Sequence, residues 1–169
     1  MRSEESHTKF LAAYEAYADA LFRFCYGKTS SRDEAKDLAQ ETFLRAWREV
    51  ERGNEIRDFK AFLYTVARNL IKDYYKRKKP VLERDLPEGI LEEAPVAATQ
   101  NVSAEARLFG DVIRAQKEPY RESLILHLIE GLPIHEIAEL LQERPNTISV
   151  RVKRGIEKVR IALHIDHHD

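Results

Sequence analysis

Apolar residues return every three or four positions through most of this chain, and the rhythm is lost once, between Pro80 and about Ser103. Spacing of that kind marks helices buried along one stripe. Glycine and proline are scarce, six of each in 169 residues, and helix formers dominate. The expected fold is all-α: two small helical domains joined by a flexible linker.

The stripes set the boundaries. Phe10, Tyr14, Tyr17, Leu21, Phe22 and Cys25 line a first helix over residues 9–26, expected to end near Gly27. "SSRDEAKDLAQETFLRAWREV" opens with serine and aspartate, which suit an N-cap, and carries Ala35, Leu38, Ala39, Phe43, Ala46, Trp47 and Val50 inward. After "ERGNEIRD" a third helix turns Phe59, Phe62, Leu63, Val66, Ala67, Leu70, Ile71 and Tyr74 to the core. Three helices with short loops form a small bundle, within a first domain of residues 1–79. Residues 80–103 hold Pro80, Pro87 and Pro95 among acidic residues and read as a solvated linker, although Leu86, Ile90 and Leu91 offer docking groups. Periodicity resumes over 104–116, and Pro119 opens "YRESLILHLIE", stopped by Gly131. "PIHEIAELL", a four-residue turn and a longer basic helix then make a helix-turn-helix. The second domain is residues 104–165, and 166–169 form a polar tail.

Composition excludes several classes of function. Cys25 is the single cysteine, so no intramolecular disulfide and no cysteine-based zinc site can form; it reads as a small core residue. The polar N-terminus "MRSEESHTKF" is unlike a signal peptide, and no apolar run approaches a membrane span. A cytoplasmic protein without membrane insertion is expected. No glycine-rich phosphate loop, nucleophile elbow or paired catalytic carboxylates are visible, so the chain reads as no enzyme, with no cofactor and no metal. His164, His167 and His168 with Asp166 and Asp169 are read as a polar tail rather than a metal site. His127 and His135 are ordinary helix-boundary residues.

Net charge is only −1, yet charge is unevenly placed. "KDYYKRKK", Lys72–Lys79, has five cations and one anion, and "VLERDLPEGILEEAP" follows it with five acids and one arginine. A basic block beside an acidic linker fits a nucleic-acid surface. The third helix puts Tyr64, Arg68, Lys72, Tyr75, Lys76 and Lys79 on its non-core face, with Asn69 close by. Aromatics interleaved with cations suit a single strand, rings stacking on bases while cations hold phosphates. The alternative is a lysine face with incidental tyrosines. Arg52, Gly53, Asn54 and Glu55 form the loop at the head of that face, either a simple turn or a site where an extruded base is read. In the second helix, Asp37, Glu41, Leu44 and Arg48 form a further stripe, with Gln40 and Arg45 adjacent. It is either scattered surface or a docking face anchored on Leu44.

The last helix, in "ERPNTISVRVKRGIEKVR", buries Ile148, Val152, Ile156, Val159 and Leu163. At about 100° per residue its other face is Asn146, Val150, Lys153, Arg154 and Glu157, flanked by Thr147, Ser149 and Arg151. Amides, hydroxyls and guanidiniums are the groups that read base edges and phosphates. Val150, in mid-face where a charge would be usual, suits a thymine methyl.

These blocks resemble the group IV, extracytoplasmic-function (ECF) sigma factors of bacterial RNA polymerase. "DEAKDLAQETFLRAWREV" is similar to that family's region 2.2, "FKAFLYTVARNLIKDYYKRKK" to regions 2.3 and 2.4, and "EGLPIHEIAELLQERPNTISVRVKRGIEKVR" to region 4.2. The resemblance implies that Asp37, Gln40, Glu41, Leu44, Arg45 and Arg48 bind the β′ clamp helices of core RNA polymerase, with the β flap a further part of that enzyme contacted. It implies opening of the −10 promoter element and capture of a flipped base by Arg52, Gly53, Asn54, Glu55 and Asn69. Tyr64, Arg68, Lys72, Tyr75 and Lys76 would contact the strand. Asn146, Thr147, Ser149, Val150, Arg151, Lys153 and Arg154 would read the −35 element. An anti-sigma factor is a further partner by resemblance only.

The chain departs from the family pattern at four places. Pro133 stands where a serine or threonine cap is usual, and Gln142 where the turn usually has glycine. Arg144 replaces a small cap, with Pro145 compensating at the first helical turn, and Val150 replaces a serine. No known −35 sequence is therefore transferred. The competing expectation is a stand-alone helix-turn-helix regulator with an N-terminal sensor or dimerisation domain, which leaves the tyrosine–lysine face of residues 57–79 unexplained.

Overall fold

A computed structural model describes residues 2–82 and 103–164, with side chains from Glu4 to Lys78 in the first stretch. Leu86, Ile90, Leu91, the side chain of Lys79 and the tail histidines His167 and His168 lie outside the described residues. The chain divides into two compact units, Met1–Pro95 and Val96–Asp169. All regular structure among the described residues is helical.

The first unit holds α1 (Arg2–Thr29), α2 (Arg32–Glu51) and α3 (Phe59–Leu82), each packed against the other two. Glu4 and Glu5 stand in the first turn of α1, where acidic groups complement the helix dipole. The helix runs through Gly27, which is buried inside it, so Gly27 is not the stop expected from sequence; the chain turns instead at Ser30, with φ 55°. Ser31 caps α2 by accepting from the Glu34 N–H at 3.4 Å, and Asp58 does the same for α3 through the Ala61 N–H at 3.0 Å. α3 also continues past Pro80 to Leu82, beyond the expected start of the linker.

Leu21, Phe24, Cys25, Ala35, Ala46, Leu63 and Ala67 form the centre of this bundle. Each large apolar side chain buried there stabilises the fold by roughly 1.5–3 kcal/mol. Burial pushes the Cys25 thiol up to about 12, which keeps it an unreactive small core group. Several placements depart from the sequence stripes. Tyr14 is exposed while Phe24 is fully buried. Tyr64, expected on the non-core face, is 2% exposed, its ring edge-on to Phe24 at 5.2 Å. Trp47 sits at the bundle's rim, between His7 at 4.9 Å and Phe10 at 5.1 Å.

The second unit contains α4 (Ala104–Arg114), α5 (Tyr120–Leu124), α6 (Ile134–Leu141) and α7 (Pro145–Ala162). Ser103 caps α4 by accepting from the Ala106 N–H at 3.2 Å. α5 widens into a π-helical segment, Ile125–Ile129, and Gly131, at φ 69°, ends it. α5 packs on α7 at Gly155: a Cβ there would stand 2.9 Å from three side-chain atoms of the buried Leu124. Glycine is what lets these helices approach so closely. The Ile148, Val152 and Val159 stripe is buried as the spacing requires.

Candidate nucleic-acid interface

The turn before α7 determines how that helix is presented. Gln142 closes α6 in the left-handed region at φ 53°, and Glu143 N–H returns to the Ala138 carbonyl at 2.9 Å. That is helix-ending geometry usually given to glycine. Arg144 provides no side-chain cap; Pro145 occupies the first turn of α7, where its missing N–H costs nothing. Arg151 reaches back to Glu143 at 3.1 Å, tying the second turn of α7 to the loop and orienting the exposed residues between them.

Asn146, Ser149, Val150, Lys153 and Arg154 are exposed on α7, and Thr147 and Arg151 are partly so. Val150, at 47% exposure, lies against two surface grooves, one also lined by Ile134, Ser149 and Lys153 and the other by Tyr120, Asn146 and Thr147. Arg154 borders both. Amide, hydroxyl, guanidinium, ammonium and methyl groups are thus gathered on one convex helix face, the shape that enters a major groove. Arg151 is partly committed to its ion pair, so it is the least available of the seven.

In the first unit, α2 presents Asp37, Gln40, Leu44, Arg45 and Arg48 to solvent, with Glu41 half-buried among them. Glu41 accepts from Arg45 Nε at 3.0 Å and lies 3.9 Å from Arg48 Nη1. The structure therefore joins Glu41, Arg45 and Arg48 into one charged cluster beside Leu44, which is 48% exposed. An exposed apolar anchor framed by fixed charges is suited to a partner helix.

The head of α3 is more ordered than a plain turn. Gly53 adopts φ 82°, and Glu49 on the last turn of α2 accepts from Arg52 Nη1 at 3.1 Å and Asn54 Nδ2 at 2.6 Å. Arg52, Gly53, Asn54 and Glu55 remain exposed and border a cavity of about 530 Å³ with Glu5, Ser6 and Lys9 of α1. The Lys9 ammonium is held above its usual value, chiefly by its bond to Glu5. The part played by α1 and by Glu49 was not anticipated. Glu49 shares one face of α2 with core positions, and only folding shows that its carboxylate curls back to the loop.

Along α3, Asn69, Lys72 and Lys76 are exposed and Arg68 is partly so. The two tyrosines assigned to that face behave otherwise. Tyr64 is a core residue, so it cannot stack on a base in this structure. Tyr75 is half-buried and its hydroxyl donates to the Lys28 carbonyl, bracing α3 on α1. Tyr74, expected inward, is half-buried too: Lys78 lies 4.7 Å above its ring and bonds its hydroxyl at 2.7 Å. That bond chiefly, with Glu34 at 3.8 Å, holds the Lys78 ammonium above its usual value. His127 uses Nδ1–H to serve the Leu132 carbonyl at 2.9 Å, a structural role. Among the described residues, no helix is long and apolar enough to cross a membrane.

Comparison with known proteins accounts for both units. The family model "Sigma-70 region 2" matches residues 13–81, and "Sigma-70, region 4" matches residues 112–159. The ECF RNA polymerase sigma factor SigW of Bacillus subtilis is 27% identical, across 91% of this chain and 88% of its own. The ECF sigma factor BldN of Streptomyces coelicolor is 30% identical across 90% of this chain, which spans 60% of that longer protein. Among solved structures, the sigma factor RpoE of Bartonella quintana, determined with the anti-sigma factor NepR, superimposes with a TM-score of 0.75 at 25% identity, covering 94% of this chain and 99% of that one. The region 2 match takes in residues 57–79, whose tyrosine–lysine face a stand-alone helix-turn-helix regulator leaves unexplained. The chain belongs to the sigma-70 family and is an RNA polymerase sigma factor of the ECF type.

Proposed function

We propose a division of labour among three surfaces. The α2 patch around Leu44 grips the β′ clamp helices of core polymerase, the Arg52–Glu55 loop and α3 hold the opened −10 strand, and the exposed face of α7 reads the −35 duplex. The second unit also meets the β flap. Lysines and arginines contribute salt-dependent affinity without sequence choice. Choice comes from base contacts, each good one worth about 1–3 kcal/mol. The protein contributes promoter selection in the cytoplasm and leaves bond-making chemistry to the polymerase.

The observation that carries this reading is the α7 face, where Asn146, Ser149, Val150, Lys153 and Arg154 are all exposed on a helix anchored from behind by Ile148, Val152 and Gly155. Two domains acting together gain through effective concentration, so the isolated protein is expected to bind promoters weakly; tight specific binding in a gel-shift titration without core enzyme would contradict this. RpoE of Bartonella quintana was solved with an anti-sigma factor, and an inhibitor of that kind is the proposed regulator here. The docking face has its own test. Leu44→Asp is expected to weaken core binding by about 2 kcal/mol, as loss of a central anchor does, while thermal stability stays unchanged. Unaltered affinity would remove α2 from the interface.

A further inference from the structure

Asn54 is held twice by one residue. Its backbone N–H donates to the Glu49 carbonyl at 3.0 Å, and its side-chain Nδ2 donates to Glu49 Oε2 at 2.6 Å. The other carboxylate oxygen, Oε1, accepts from Arg52 Nη1 at 3.1 Å. Gly53 between them takes a φ of 82° that other residues rarely adopt. Two charge-assisted bonds thus hold the loop in one arrangement, although water screens them at the surface.

The chemistry of this bond fixes more than position. A carboxylate offers only acceptors, so only the NH2 side of the Asn54 amide can face it. The amide is thereby locked against a half-turn. Its carbonyl oxygen keeps its full accepting capacity, while one of its two N–H groups is already in use. At pyrimidine C4 and purine C6 the bases present opposite groups: cytosine and adenine offer an exocyclic N–H there, thymine and guanine an oxygen. A freely turning amide reads either group; a locked one reads only one. Glu49 is not among the residues bordering the neighbouring cavity of about 530 Å³, whereas Asn54 is. That volume falls within the usual range for small-ligand sites, about 300–1,000 Å³.

We infer that Glu49 is a positioning residue that locks the Asn54 amide, so that this loop selects an extruded base with an amino group at pyrimidine C4 or purine C6, cytosine or adenine, over thymine and guanine, which carry an oxygen there. The inference rests on the reading of the loop as the −10 base-capture site. Glu49→Gln is the informative change, because the new amide both donates and accepts and so permits either orientation of Asn54.

The test uses holoenzyme reconstituted from core polymerase and full-length protein, with fluorescent single-stranded −10 oligonucleotides. Each position in turn carries cytosine, adenine, thymine, guanine or pyrimidin-2-one, which is cytosine without its amino group. At one position the wild type is expected to favour cytosine or adenine over thymine and pyrimidin-2-one by about tenfold, the scale of one good base contact. Glu49→Gln is expected to reduce that ratio to below about threefold, since the neutral amide–amide bond no longer has a fixed direction. Core binding and the preferences at other positions stay as in wild type. A loop that was merely loosened would weaken all bases together and leave the ratio intact, and that result overturns the lock. So does a wild-type ratio in Glu49→Gln when Asn54→Ala has lost it, or a preference for thymine or guanine. If neither Arg52→Ala nor Asn54→Ala changes any base preference, the loop assignment itself falls, and the lock with it.

Discussion

α3 and α7 both carry cations along one face, but they surround those cations differently. On α7 the neighbours of Lys153 and Arg154 are Asn146, Ser149 and Val150, short groups that leave the backbone close to whatever lies against it. On α3 the neighbours of Lys72 and Lys76 are Tyr75, which braces α1, and Tyr74, which is capped by Lys78. Short polar groups with an exposed methyl suit reading of base edges in a duplex. Long cations on a helix whose rings are already engaged suit phosphates. The difference fits the proposed division of labour, with choice on α7 and the loop before α3 and affinity on the body of α3.

The largest effect expected from this contrast concerns Tyr64. Tyr64→Ala should cost about 3–5 kcal/mol of folding stability, as truncation of a buried aromatic does, measured by denaturant unfolding. Tyr64→Phe keeps the ring and should leave promoter opening close to wild type. A Tyr64→Ala variant that unfolds normally yet fails to open the −10 element would return this ring to the strand.

Gly155→Ala comes next. The added methyl would meet Leu124 at 2.9 Å, and overpacking of a filled core costs about 1–3 kcal/mol. Thermal unfolding reads the loss, and unchanged stability would show that α5 and α7 separate easily.

Asn146→Ala and Lys72→Ala should then part company. The first is expected to lose about 1–3 kcal/mol of discrimination at one −35 base pair. The second should weaken all promoters alike and lower the slope of log affinity against log salt by about 1. A sequence-dependent Lys72→Ala would erase the distinction between the two helices. Smallest is Gln142→Gly: relief of a left-handed non-glycine residue, about 1–2 kcal/mol, is partly offset by the freer unfolded chain, about 0.4–1 kcal/mol. A modest rise in melting temperature is expected, with promoter preference unchanged.

These regions also show where sequence was informative. The α7 face was legible because Ile148, Val152 and Val159 repeat cleanly and the polar groups opposite have no reason to be buried. The α2 patch was legible for the same reason. The tyrosines of α3 were not, because an aromatic ring with a hydroxyl is compatible with core and surface alike, and residues 64 and 75 lie at the edge of the apolar stripe. Tyr14, expected inward, is exposed on α1 and Phe24 is buried for a similar reason: aromatics border that stripe on both sides, so periodicity leaves its centre loosely defined. Gly27 misled because helix packing, which buries it, overrides its weak propensity. Glu49 and the N-terminal turns of α1 were invisible as site elements, since their contribution depends on contacts across a turn and between helices.

The division of labour is tested most directly by run-off transcription from a genomic fragment library, using core polymerase with wild-type protein and with Lys153→Glu plus Arg154→Glu. Wild type is expected to direct discrete new start sites, and the double variant to lose them while still binding core enzyme as tightly. Start sites unchanged in the double variant, or absent with wild type, would contradict it.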